Sequence, residues 1–142
     1  MNLPLPPALT APLRVLLLDD DRFMLELLAE MVAAHGPHAV RCETSSLRAL
    51  ELLRHDTPDL LICDLGLPEL DGIELLRLMA ELGYDGSVVL LSGLDVGVLQ
   101  AAERLAQAHG LALLAACTKP LAPQRLGQLL AQAAARRAAA AP

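Results

Sequence analysis

Aromatic side chains are almost missing from this chain: one Phe (Phe23), one Tyr (Tyr84) and no Trp in 142 residues. No platform of rings is available on which nucleic-acid bases could stack. Positive charge is also short. The formal net charge is −6, whereas a partner of the phosphate backbone needs a basic face. Nucleic acid is therefore excluded as a direct partner. No apolar run is long enough to cross a bilayer. The opening stretch, Met1 to Pro12, has no basic residue and is broken by prolines, unlike a secretory signal. These absences point to a cytoplasmic chain without a membrane partner. Cys42, Cys63 and Cys117 are odd in number and lack metal-ligand spacing. They read as small buried hydrophobes in a reducing compartment. Lysine is the scarcest cation of all: Lys119 is the only one among eleven basic residues.

What is present is aliphatic. Hydrophobic residues make up 54% and charged residues 20%, enough for one ordered domain with a core of Leu, Val, Ile and Ala. Short apolar runs at Arg14 to Leu18, His38 to Cys42, Leu60 to Cys63, Ser87 to Leu91 and Leu111 to Thr118 read as strands. Between them, apolar residues recur at helical spacing. The first helix carries Met24, Leu27, Leu28, Met31 and Val32, and the second Leu47, Leu50 and Leu53. The third carries Ile73, Leu76, Met79 and Ala80, the fourth Leu99, Ala102, Leu105 and Ala106, and the fifth Leu126, Leu129, Leu130 and Ala133. Thr44, Ser45 or Ser46 supplies a cap for the second helix, Asp71 and Asp95 cap the third and fourth, and Gly83 and Gly110 supply stops. Strands alternating with helices imply an α/β fold, a parallel sheet covered on both faces. The expected organisation is an irregular Pro-rich arm over 1–12, one domain over 13–137 and a frayed Ala-rich tail over 138–142.

Four strand ends carry polar groups. Asp19 and Asp20 end the first strand, Asp64 the third, Ser92 the fourth and Lys119 the fifth. In open α/β sheets, ligands bind beyond the carboxyl ends of the strands. If the sheet is doubly wound, these ends share one rim. Two carboxylates ~4 Å apart at an effective dielectric of ~20 repel by about 4 kcal/mol, so clustered acids hold a proton or a cation. Oxygen-only ligands select Mg²⁺, or Mn²⁺, over zinc. In a chain this biased to Arg, a lone Lys suits a crowded acidic pocket, where a compact ammonium fits and a guanidinium fork does not. Pro120, immediately after it, restrains the chain there.

The segments L-L-L-D-D-D, D-L-L-I-C-D-L-G-L-P-E-L-D-G, V-V-L-L-S-G and T-K-P, in that order over about Arg14 to Arg136, resemble the receiver domain of two-component response regulators. The resemblance implies a CheY-like, flavodoxin-like (βα)5 fold with strand order 2-1-3-4-5. It implies that Asp64 accepts a phosphoryl group from a sensor histidine kinase. Asp20 would bind Mg²⁺ directly and Asp19 through water, joined by Asp64 and the Gly66 carbonyl. Ser92 would be the switch hydroxyl, and Lys119 would pair with the phosphoryl group. Pro68, Gly72 and Pro120 would be structural. Such a protein is a signalling switch and not an enzyme in the usual sense; it catalyses only its own phosphoryl transfer and slow autodephosphorylation. A downstream protein or output domain would read its state. A homodimer through the fourth-helix, fifth-strand, fifth-helix face is a further expectation, and Leu94 could shade the acyl phosphate.

Two departures stand out. Ala116 occupies a position, three residues before Lys119, where this family usually has an aromatic that rotates inward. The stretch from Ser92 to Lys119 is longer than the family norm and is similar to receivers attached to EAL-type cyclic-di-GMP phosphodiesterases. Two rival readings remain. A haloacid-dehalogenase-like phosphatase would use Asp19 as nucleophile and Asp21 as acid/base, but Phe23 does not suit that motif. A receiver-like interaction module would signal without phosphorylation.

Overall fold

The structure is a computed structural model that describes residues 12–93 and 96–140. Residues 1–11 of the expected 1–12 arm, the Asp95 cap, the Leu94 shade and the last two tail residues lie outside the described residues. The elements are β1 (Arg14–Leu18), α1 (Arg22–Ala33), β2 (Ala39–Glu43), α2 (Ser46–His55), β3 (Leu60–Asp64), α3 (Gly72–Glu81), β4 (Ser87–Ser92), α4 (Val96–Ala108), β5 (Ala112–Thr118) and α5 (Pro123–Ala140). The five strands form one sheet in the order β2-β1-β3-β4-β5, and every pairing is parallel.

Side chains on a strand alternate between its two faces. Here both faces are apolar, which is why the central strands read as unbroken hydrophobic runs. Leu16, Leu18, Leu61, Cys63, Val88 and Leu90 pack with α2, α3 and α4. Val15, Leu17, Leu60, Ile62, Val89 and Leu91 pack with α1 and α5. Asp21, Ser45 and Asp71 cap α1, α2 and α3 through side-chain oxygens that accept backbone N–H groups. Gly83 and Gly110, just past α3 and α4, have φ of +75° and +78°, the left-handed stop that glycine adopts without strain.

Strand order reverses between β1 and β3. The chain moves outward from β1 to β2, then returns to the other side of β1. Asp19 follows β1 and Asp64 ends β3, so the two acids flank the topological switch point.

The β4–β5 pair contains a one-residue irregularity. Val88 faces Leu113, but Val89 faces Ala115, so Leu114 is extra. Leu114 and Ala115, though consecutive, both pack on the α1/α5 side. A bulge of this kind reverses the parity of all that follows it. It brings Thr118 opposite Ser92, and the Lys119 N–H then donates to the Ser92 carbonyl at 2.9 Å.

Several expectations about faces need correction. Leu27, Leu47 and Ile73 are exposed, because each helix presents a neighbouring stripe to the sheet. α1 buries Leu25, Leu28 and Val32, α2 buries Ser46, Ala49, Leu50 and Leu53, and α3 buries Leu75, Leu76 and Met79. Cys42 is exposed rather than buried, since β2 is an edge strand; Cys63 is buried and Cys117 half-buried. Helix α5 runs through Ala140, past the point where fraying was expected. Alanine is the strongest helix former, and the residues numbered 138–140 continue the helix. His35 and His38 both bond to the backbone. His35 Nε2 lies 2.9 Å from the Pro123 carbonyl, and His38 Nδ1 accepts the Leu13 N–H at 3.0 Å. Burial, with His35 and Arg137 nearby, lowers the His38 pKa and favours the neutral ring that this bond needs.

Candidate functional site

β1 delivers Asp19 into a closed environment. Its backbone N–H continues the ladder to the Glu43 carbonyl at 3.2 Å, and its side chain is almost fully buried. Asp19 Oδ1 accepts the Asp21 N–H at 2.9 Å, and Oδ2 accepts from Lys119 Nζ at 2.8 Å. Asp20, the next residue, is exposed. Asp64 lies at the end of fully buried β3 and is itself only 6% exposed. Its Oδ1 accepts the Gly66 N–H at 3.1 Å, and its Oδ2 lies 3.3 Å from Lys119 Nζ. Carboxylate oxygens of Asp19, Asp20 and Asp64 lie within 4.8 Å of one another.

Lys119 reaches this cluster from the end of β5. The Lys119–Pro120 peptide bond is cis. Burial alone would lower the ammonium's pKa. The hydrogen bond to Asp19 and the charges of Asp64 and Asp19 outweigh burial, so the pKa is raised. One ammonium against three carboxylates leaves the cluster negative. Three hard oxygen donors at this spacing, without sulfur or imidazole among them, suit Mg²⁺, which keeps several waters and needs only a few protein ligands.

Ser92, at the end of β4, is mostly buried. It shares with Asp64, Gly66, Gly93 and Lys119 the lining of an open pocket that Leu65 and Val98 complete. Asp19 and Asp20 lie on the β1 side of Asp64, and Ser92 on the β4 side. Val98, from the first turn of α4, was not anticipated. A lone Val between Gly97 and Leu99 carries no signal that it faces a polar pocket.

Gly66 is exposed, and a Cβ there would meet Asp64 only at ordinary contact distance, 3.6 Å. Gly72 is different. A Cβ on it would lie 2.5 Å from Leu65 Cδ2 and 3.2 Å from the Leu65 Cα, so α3 can start this close to the β3 end only with glycine. Pro68 is exposed on the connecting loop.

Two other reactive side chains near the site do not serve it. The Asp21 carboxylate accepts the N–H groups of Phe23 and Met24 as the cap of α1, which leaves it engaged away from Asp19. This removes the acid/base of the phosphatase reading. Cys63 adjoins Asp64, but burial above all, with the charges of Asp64 and Asp19, pushes its thiol far above the ordinary range. A neutral thiol of this kind is inert.

Comparison with known proteins places this geometry. The family described as "Response regulator receiver domain" matches residues 15–131. The response regulator MprA of Mycobacterium leprae is 34% identical over 83 residues, which is 58% of this chain and 36% of that protein. The chain thus spans about a third of the length of the curated relatives it matches. A crystal structure of a response regulator from Colwellia psychrerythraea is 35% identical, covers 87% of this chain and 97% of that one, and superposes with a TM-score of 0.73. A CheY-like receiver domain protein from Methanospirillum hungatei JF-1, 19% identical, has a TM-score of 0.79 over 92% of this chain and all of that one. At that identity the likeness speaks for the fold alone.

Proposed function

The chain belongs to the response-regulator receiver family and is a phosphoryl-accepting switch of two-component signalling, and on that premise we propose that Asp64 is its acceptor. One observation carries the assignment. Asp64 is the carboxylate that touches both sides of the site: the acids of β1 on one side, and the Ser92–Lys119 pocket on the other.

The donor is a phosphohistidine on a sensor histidine kinase. A carboxylate oxygen of Asp64 forms a bond to phosphorus as the phosphorus–nitrogen bond to the imidazole breaks. The electron pair goes to that nitrogen, and the ring leaves neutral after taking up a proton. Lys119 is placed to face the oxygens of the group in transfer. Its second partner, Asp19, holds the ammonium in position. Such catalysis is positioning and fixed charge. Asp19, Asp20, Asp64 and the Gly66 carbonyl are the groups that would hold Mg²⁺. Asp19 is the least direct of them, because Asp21 N–H and Lys119 already occupy its oxygens. Bound there, the ion supplies positive charge against the transferring oxygens.

Once Asp64 is phosphorylated, new acceptor oxygens lie in the pocket that Ser92 lines. The Ser92 hydroxyl moves to meet them. Ala116 offers no ring to follow that movement; it is half-buried on β5 against the α2–α4 side of the core. The change therefore passes to α4, whose Val98 shares the pocket wall. A partner protein or an output domain reads it. Return to the resting state is slow autodephosphorylation, in which water replaces Asp64 at phosphorus.

Acetyl phosphate, a small acyl phosphate, tests this without a kinase. With Mg²⁺ the intact protein should gain one phosphoryl group by mass. With excess EDTA the initial rate should fall by about a hundredfold or more. Labelling at the same rate in EDTA would count against the acidic cluster as a metal site.

A further inference from the structure

The loop numbered 65–71, which follows Asp64, has no helix or strand of its own. Besides the Gly66 N–H bond to Asp64 Oδ1, it is held at three points. The Leu65 N–H donates to the Leu91 carbonyl at 2.9 Å. Gly72 closes against Leu65 at the far end. The third hold comes from Glu69. Its Oε1 accepts the backbone N–H of Ser46, the first residue of α2, at 3.1 Å.

Ser46 is a demanding partner. It is fully buried, and its Oγ finds no hydrogen-bond partner among the described residues. Buried backbone donors without a partner are costly, so the Ser46 N–H relies on a carboxylate brought from another part of the chain. Three neighbouring donors are matched locally. Thr44 N–H and Ser45 N–H go to Glu43 Oε1, and Arg48 N–H goes to Ser45 Oγ. The positive end of the α2 dipole favours the negative charge of Glu69.

The same corner is tied to the acids of β1. The Glu43 carbonyl accepts the Asp19 N–H at 3.2 Å, and Glu43 leads through Thr44 and Ser45 to Ser46. A closed circuit results: Asp64, its loop, Glu69, Ser46, Glu43, Asp19. We propose that Glu69 is a positioning residue, which fixes the distance between the Gly66 segment of the acceptor loop and the carboxylates of Asp19 and Asp20. It touches neither the acceptor nor a cation. It acts by fixing where the Gly66 carbonyl stands when a divalent ion arrives. The proposal rests on the reading of Asp64 as acceptor.

The test uses the full chain and three variants: Glu69→Ala, Glu69→Gln and Ser45→Ala. Mg²⁺ affinity is read by NMR titration, amide exchange by mass spectrometry in metal-free buffer, and labelling by acetyl phosphate. Glu69→Ala should weaken Mg²⁺ binding by about tenfold. Without metal it should speed exchange across residues 65–71 by about tenfold, ahead of the core strands. Glu69→Gln keeps an oxygen that accepts the Ser46 N–H and should restore both to near wild type. Ser45→Ala removes a cap of the same helix without touching the loop; it should lower Tm and leave Mg²⁺ affinity unchanged. If Glu69→Ala binds Mg²⁺ like the wild type, or Ser45→Ala weakens it equally, Glu69 is only a helix cap and the proposal is overturned. A Glu69→Ala protein too unstable to titrate leaves the decision to Glu69→Gln, whose failure to match the wild type would also overturn it. A wild-type chain that is not labelled at Asp64 defeats the acceptor reading instead, separately from any Glu69 result.

Discussion

Asp64→Asn should accept no phosphoryl group from acetyl phosphate, a loss of at least about a thousandfold in initial rate, while the protein stays folded. The amide is nearly isosteric with the carboxylate and can still accept the Gly66 N–H that Oδ1 accepts now. What it loses is the anionic oxygen that attacks phosphorus. It also loses one of three crowded negative charges. Relief of that repulsion, set against the weakened contact to Lys119, should leave the variant as stable as the wild type or more stable by on the order of 1 kcal/mol. A loss of labelling through misfolding would show as a fall in Tm instead. Undiminished labelling of a folded Asp64→Asn protein would place the acceptor elsewhere.

Lys119→Met should be the most destabilising single change in the site. Lys119 Nζ is 2.8 Å from Asp19 Oδ2, and that side chain is 2% exposed. Without the ammonium, a nearly dry carboxylate faces two others with no cation from the described residues paired to them. Removing one partner of a buried pair costs about 3–5 kcal/mol; Asp20 and the pocket mouth are open to solvent, so the lower end is expected. For a domain of this size that is a fall of roughly 10 °C in Tm. Millimolar Mg²⁺ should return part of the loss in the variant, because a divalent ion replaces the missing charge. Calorimetric scans with and without Mg²⁺ measure both effects. The pH dependence has a definite sign. Lys119 has a raised pKa in the folded state. Its contribution is therefore complete below the ordinary lysine range, near pH ~10.4, and is lost as pH rises through the raised value. The wild type should lose the contribution in strong alkali, and Lys119→Met should lack that loss. Equal stability of variant and wild type at neutral pH would show that Asp19 does not need this partner.

Much of this was legible in the chain because a parallel sheet buried on both faces writes itself as unbroken apolar runs. Arg14–Leu18, Leu60–Asp64 and Ser87–Ser92 could be picked out almost to the residue. A polar residue after such a run must lie at the carboxyl rim, which is why Asp19, Asp64, Ser92 and Lys119 stood out. The exposed Leu27, Leu47 and Ile73 show where periodicity runs out. A helix with apolar residues on adjoining stripes can turn either toward the sheet, and packing against neighbouring elements decides. The extra residue at Leu114 was not visible either. Nothing in A-L-L-A-A-C-T marks one Leu as unpaired, yet the bulge sets which face Ala116 occupies and where Lys119 begins. The contact of Glu69 with Ser46 spans 23 positions and belongs to no motif. Only the folded loop shows it.

One residue's oxygen takes up the phosphoryl group, and that residue can be identified chemically. Protein labelled with acetyl phosphate and Mg²⁺ is treated with borohydride, which reduces an aspartyl phosphate to homoserine, and is then sequenced by peptide mass. A single homoserine at position 64 is the expected result. Homoserine at position 19 or 20, or a phosphate stable to borohydride on a hydroxyl residue, would contradict it.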